Sequence, residues 1–82
     1  MSNLKEITKY LDELINDINV PKNVRKRLEE AKNELLNNSV EKSIRIGKVI
    51  STMDEISIDI NLPIYARTKI WNIVSMLESI RK

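Results

Sequence analysis

The side chains with the most chemical potential in this 82-residue chain are basic, and they fall in two groups. Lys22, Arg25, Lys26 and Arg27 crowd one short stretch of the first half; Arg67 and Lys69 stand at related places in the second. In the opening turns of a helix, beside its unsatisfied N–H groups, such cations can hold a phosphate or another anion. Carboxylates come in adjacent pairs, Asp12/Glu13, Glu29/Glu30 and Asp54/Glu55. Sequence neighbours point about 100° apart on a helix of 3.6 residues per turn, so none of these is a ready acid–base dyad. His and Cys are both absent. That removes imidazole bases, thiolate nucleophiles, disulfides and the usual zinc and non-haem iron ligand sets. There is no Gly-rich phosphate loop and no nucleophile–base pair. The chain therefore reads as a non-enzyme, with no catalytic residue, metal, cofactor or small-molecule substrate indicated. A net charge of +2 is too small to mark a strongly basic nucleic-acid binder.

These groups are positioned by a turn that the chain writes twice. Asp17-Ile18-Asn19-Val20-Pro21 with Arg25 returns 42 residues later as Asp59-Ile60-Asn61-Leu62-Pro63 with Arg67. Around it the apolar residues follow helical spacing. The first helix is expected to start at Asn3, with Glu6 completing a capping box. It then carries a stripe of Leu4, Ile7, Leu11, Leu14 and Ile18. A second helix is expected over 21–36, because Pro suits a first turn where its missing N–H costs nothing. Its inward side is Val24, Leu28, Ala31 and Leu35. A break at Asn37-Asn38-Ser39 precedes a third helix reaching Ser57, opened by a capping box of Asn38 with Glu41. Val40, Ile44, Gly47, Val49 or Ile50, Met53 and Ile56 form its expected stripe, with Gly47 leaving room for Trp71. A fourth helix over 63–81 has Ala66, Ile70, Ile73, Leu77 and Ile80 inward, widened by Ile64, Trp71 and Val74.

Residues 11–36 align on 53–78 with eight identities. Such self-similarity marks a duplicated supersecondary unit. One helical hairpin cannot cover its own apolar face, so two must pack together. The predicted fold is all-α: an antiparallel four-helix bundle of two tandem hairpins, about 3–37 and 39–82, with internal pseudo-two-fold symmetry in one domain over 1–82. Asp17, Pro21 and Arg25, and again Asp59, Pro63 and Arg67, read as structural clasps. Each pairs an acid ending one helix with a base one turn into the next, an Asp–Arg bridge across the turn. The apolar face of the fourth helix is broader than a surface helix needs. Either the fourth helix is the most central of the bundle, or the excess is an apolar patch for another subunit or partner; on the second reading Ile64, Trp71, Val74 and Ile80 are the candidate contacts of a protein-interaction or oligomerisation surface. The alternative is a nucleic-acid or ribonucleoprotein accessory using Lys22, Arg25, Lys26, Arg27, Arg67 and Lys69.

Several segments are more specific than a generic bundle. Met53-Asp-Glu-Ile-Ser57, Asn61-Leu-Pro63, Ala66-Arg-Thr-Lys-Ile-Trp-Asn-Ile-Val-Ser75 and Leu77-Glu78, with Val20-Pro-Lys-Asn-Val-Arg25 in the first half, resemble an archaeal set of small helical proteins. That set is the uncharacterised protein family numbered 0147, and the resemblance covers nearly the whole chain. It implies a compact all-helical fold and an archaeal cytoplasmic origin, and it brings no established activity. The residues themselves add that the opening lacks a signal-peptide core and that no stretch reaches the ~18 apolar residues of a membrane span. A soluble intracellular protein whose partner is a protein, with no membrane role, is the expectation.

Overall fold

A computed structural model describes residues 3–81, with side chains from Leu4 onward. Four helices follow one another: α1 (Asn3–Ile15), α2 (Lys22–Leu35), α3 (Lys42–Ser57) and α4 (Ile64–Arg81). They form a ring in which α1 packs on α2, α2 on α3, α3 on α4 and α4 back on α1. Short turns make successive helices antiparallel, so the chain runs up, down, up and down around one core. The side chain of Asn3, and with it the expected Asn3–Glu6 box, lies outside the described residues.

The duplication is visible in the core. Leu11/Met53, Leu14/Ile56, Val20/Leu62, Val24/Ala66, Leu28/Ile70, Ala31/Ile73 and Leu35/Leu77 are related by the 42-residue offset, and every one of them is buried. The same positions of each hairpin thus face the same axis, and each hairpin supplies the cover the other lacks.

The turns are built on side chains rather than on helix continuation. The Asp17 carboxylate accepts the Asn19 backbone N–H at 2.8 Å, and Asp59 accepts that of Asn61 at the same distance. Val20 and Leu62 then donate their N–H to the carbonyls of Asp17 and Asp59 at 3.1 Å. A short carboxylate that bonds two residues ahead competes with the helical ladder. This is why α1 stops at Ile15, before the expected Ile18. Ile18 continues the apolar period of α1 on paper but stands 85% exposed, and buried Val20 plugs the bundle end instead.

A third copy of this turn joins α2 to α3. Asn37 accepts the Ser39 N–H at 3.0 Å on its side chain and the Val40 N–H at 3.3 Å on its carbonyl. Glu41 precedes α3 with φ −56° and ψ 141°, close to the −52° and 142° of Pro21, and makes no side-chain cap. Glu41 therefore stands where the other copies have Pro. The expected Asn38–Glu41 capping box does not form, and α3 begins at Lys42.

Two expectations for α3 are corrected with it. Its buried face is Ile46, Val49, Ile50, Met53 and Ile56, whereas Ile44 is exposed. Apolar steps of three, taken repeatedly, each fall about 60° short of a 3.6-residue turn, and the stripe traced from Val40 drifts off the core. Gly47 does not receive Trp71. A Cβ there would lie 3.4 Å from the Arg81 guanidinium Nη2, at the far end of a flexible side chain.

Candidate interaction surface

Most of the charged groups that drew attention in the sequence have partners within the chain. Arg25 Nε donates to the Val20 carbonyl at 3.0 Å. Arg67 Nε donates to the Ser57 carbonyl at 2.8 Å and its Nη2 to that of Asp59 at 3.1 Å. The expected Asp17–Arg25 and Asp59–Arg67 bridges are not among the ion pairs of the described residues. Each arginine instead donates to carbonyls at the turn before it; that of Ser57 closes α3 and is one of the groups a helix end leaves without an internal partner. Asp17 and Asp59 are occupied with their own turns. The sequence reading missed Arg45, which does the same for the third turn by donating Nη1 to the Leu35 carbonyl at 2.9 Å. The signal was there, since Arg45 follows Asn37 at the spacing by which Arg25 follows Asp17.

The remaining pairs tie helix to helix. Arg27 pairs with Glu55, Lys32 with Asp12 at 2.6 Å, Lys48 with Glu34 at 3.2 Å and Lys69 with Glu13 at 2.8 Å. Tyr65 donates its hydroxyl to Asp17 Oδ2 at 2.6 Å and so joins the start of α4 to the turn after α1. That bond, helped by the Asn19 N–H, holds the Asp17 carboxyl below its usual value, and it raises the Tyr65 phenol. The hydrogen bond from Lys69 likewise lowers Glu13. Of the six basic candidates, only Lys22 and Lys26 have no internal partner among the described residues. They line an open depression with Ile15, Asn23, Arg25 and Glu29, not an enclosed pocket. The cleft between α2 and α3, about 150 Å³, is lined by Arg27, Glu30, Ala31, Glu34, Lys48, Val49 and Thr52, and Arg27, Glu34 and Lys48 are committed to ion pairs. No group of three or more Asp or Glu among the described residues could hold a metal.

The apolar candidates divide. Val74 belongs to the core, and Ile80 packs partly buried against it. Ile64 is 78% exposed and Trp71 49%. At the end of the bundle where the two Asp-Ile-Asn turns lie, Ile64 is joined by Ile18, Ile58 and Ile60, the last at 91% exposure. The turn does not require apolar residues there, because the third copy makes the same bonds with Asn38 in the place of Ile18 and Ile60. From that end a strip runs along the outside of α4. From Ile64 to Ser75 every exposed side chain is uncharged: Ile64, Tyr65, Thr68, Trp71, Asn72 and Ser75. The outer faces of α1 and α2, by contrast, show Lys5, Glu6 and Lys9, and Lys26, Glu29 and Glu30. Sequence reading put Ile18 on the inward stripe of the first helix and did not single out Ile58 or Ile60; the turns carry all three outward.

The model of an uncharacterised protein family, UPF0147, matches residues 1–80 of the chain. The chain belongs to this family. A UPF0147 protein of Methanothermobacter thermautotrophicus is 48% identical over all of this chain and 82% of its own length. One from Methanocaldococcus jannaschii is 45% identical over 95% of this chain and 84% of its own length. The UPF0147 fold is also seen in crystal. A family structure from Thermoplasma acidophilum superposes with a TM-score of 0.91 at 38% identity, covering 95% of this chain and 92% of that one. A second crystal structure, of a protein of unknown function, gives a TM-score of 0.91 at 44% identity over 98% of this chain and 91% of that one. No described helix of this UPF0147 chain is long and apolar enough to cross a membrane.

Proposed function

We propose that this UPF0147 chain is a non-enzymatic protein-interaction module whose contact surface is the outer strip of α4 and the isoleucine-bearing turns beside it. The observation that carries the reading is that the exposed side chains from Ile64 to Ser75, with Trp71 among them, are uncharged, while the two cations between them, Arg67 and Lys69, are half-buried and held by internal partners. Protein interfaces differ from the rest of a surface by the loss of charge at their centre and by enrichment in aromatic residues. The residues whose loss costs most binding energy are disproportionately Trp and Tyr. Three more exposed isoleucines, Ile18, Ile58 and Ile60, lie at the end where the strip begins, and exposed apolar area of this kind marks contact sites. The accessory role on nucleic acid has less support, since Arg25, Arg27, Arg67 and Lys69 each have an internal partner. Affinity purification from native cells tests the proposal. The tagged chain is expected to retain specific proteins, and Ile64→Lys with Trp71→Lys to lose them. Equal retention by both forms would refute it.

A further inference from the structure

We infer that the α2–α3 turn is a hinge, and that two copies of this chain, opened there, exchange hairpins and close on one another. The surface that mates is then the core face of each hairpin, so the inference stands apart from the interaction reading of the α4 strip.

The three connections share one design and can be compared bond for bond, and the middle one is the weakest at each point. Its acceptor is the neutral amide of Asn37, 3.0 Å from the Ser39 N–H donor, where the other two turns offer carboxylates at 2.8 Å. Hydrogen bonds to a charged acceptor are roughly twice as strong. The next bond, donated by Val40, is 3.3 Å long, against 3.1 Å for those of Val20 and Leu62. Val20 and Leu62 are buried plugs, at 1% and 4% exposure, whereas Val40 is only half-buried. Arg25 and Arg67 each donate Nε to a carbonyl, but the buried Nε of Arg45 has no partner. A buried donor left unpaired is a cost to the closed form.

Proline separates the turns most clearly. Pro21 and Pro63 hold φ and lack an N–H, which disfavours helix through either turn. Glu41 stands in their place, and no Gly or Pro lies between Leu35 and Lys42. Only here can the chain run helically from one helix into the next. Opening this turn parts the α1–α2 hairpin from the α3–α4 hairpin and bares the apolar face of each. Those faces are made for each other: the pairs Glu13–Lys69, Arg27–Glu55 and Glu34–Lys48 all join the first hairpin to the second. An open copy offers one hairpin of each kind, so two open copies satisfy both reciprocally. Exchange of an identical element is a low-cost route to a dimer, because every contact except the hinge is one that the monomer already makes.

Sedimentation velocity tests the inference. The native chain, concentrated, held just below its melting temperature and cooled, is expected to yield a dimer that persists on dilution, since it can come apart only by reopening. Glu41→Pro is expected to lower that yield at least about twofold through the open chain. Its φ of −56° already suits Pro, and its N–H makes no bond among the described residues. Glu41→Ala, which also removes the bond from the Ser43 hydroxyl but adds no ring, is expected to exchange as the native chain does. Charge reversal identifies the mating faces. Glu13→Lys with Glu34→Lys in one variant, and Lys48→Glu with Lys69→Glu in another, each set like charges across the hairpins. Warmed together, the two variants are expected to form mixed dimers in preference to either alone, because exchange restores both ion pairs. A chain that stays monomeric, a dimer that disperses on dilution, a yield that Pro leaves unchanged or Ala lowers equally, or no preference for mixed dimers each overturns the inference.

Discussion

The residues that looked most like chemistry turn out to hold the chain together, and Tyr65 shows how. Its hydroxyl bonds the Asp17 carboxylate, which already anchors the first turn. The folded state therefore lowers the Asp17 pKa and raises that of Tyr65. A depressed carboxyl stabilises the fold above its unfolded pKa near 4 and loses that contribution as pH falls through the folded value. A raised phenol acts in the opposite sense: its contribution is complete below about pH 10 and is lost as pH rises through the higher folded value. Glu13, lowered by Lys69, adds to the acid side. Urea midpoints followed across pH should thus fall at both extremes. Tyr65→Phe should flatten the alkaline limb and reduce the acid one, with the Glu13 share remaining. Two unaltered limbs would mean that the bond is not made. The arginines carry the same lesson. Arg25 and Arg67 resemble anion ligands in sequence, yet they donate, as Arg45 does, to carbonyl oxygens at the preceding turn.

Elements here are delimited by side chains that compete with the helix, and one turn design is used three times. Two copies were legible because they share Asp, Ile, Asn, Pro and Arg. The third was not, since Asn37 and Glu41 replace Asp and Pro, and only the backbone angles reveal that Glu41 does what Pro21 does. The end of α1 was misplaced for a related reason. Periodicity records which residues would share a face if the helix went on, while the Asx bond decides that it stops. Gly47 carries an element-scale prediction. With no close packed neighbour and only the mobile end of Arg81 near its missing Cβ, its cost to helix propensity is uncompensated. Gly47→Ala should therefore stabilise the protein by about 0.5–1 kcal/mol, read as a higher urea midpoint with unchanged slope. A loss of stability would show that this position needs the space.

On the scale of the whole molecule, stability comes from two hairpins that complete each other. Leu28 and Ile70, equivalent under the 42-residue offset, are both fully buried. Truncation of either to Ala should cost about 2–5 kcal/mol. For a chain of this size the total is only about 4–12 kcal/mol at ~0.05–0.15 kcal/mol per residue. Calorimetry should find the two variants similarly destabilised, each with a melting temperature well below that of the native chain. A large effect for one and none for the other would break the symmetry argument.

The sequence alone determined the helix count, the duplication, the inward stripes of α2 and α4 and the family resemblance. All of these rest on local period and on residue identity, which are written in one dimension. Tertiary structure decided what period cannot encode. It sent Ile18 and Ile60 outward although they extend apolar stripes, turned the α3 face onto Ile46, and placed Val74 in the core while leaving Trp71 half outside. It also gave the basic residues their partners, several of them far away in the chain, as Lys69 and Glu13 are. Which charges stay free, and which apolar residues stay uncovered, depends on what the other hairpin brings to each surface. That is a property of packing, and packing exists only once the chain has closed on itself.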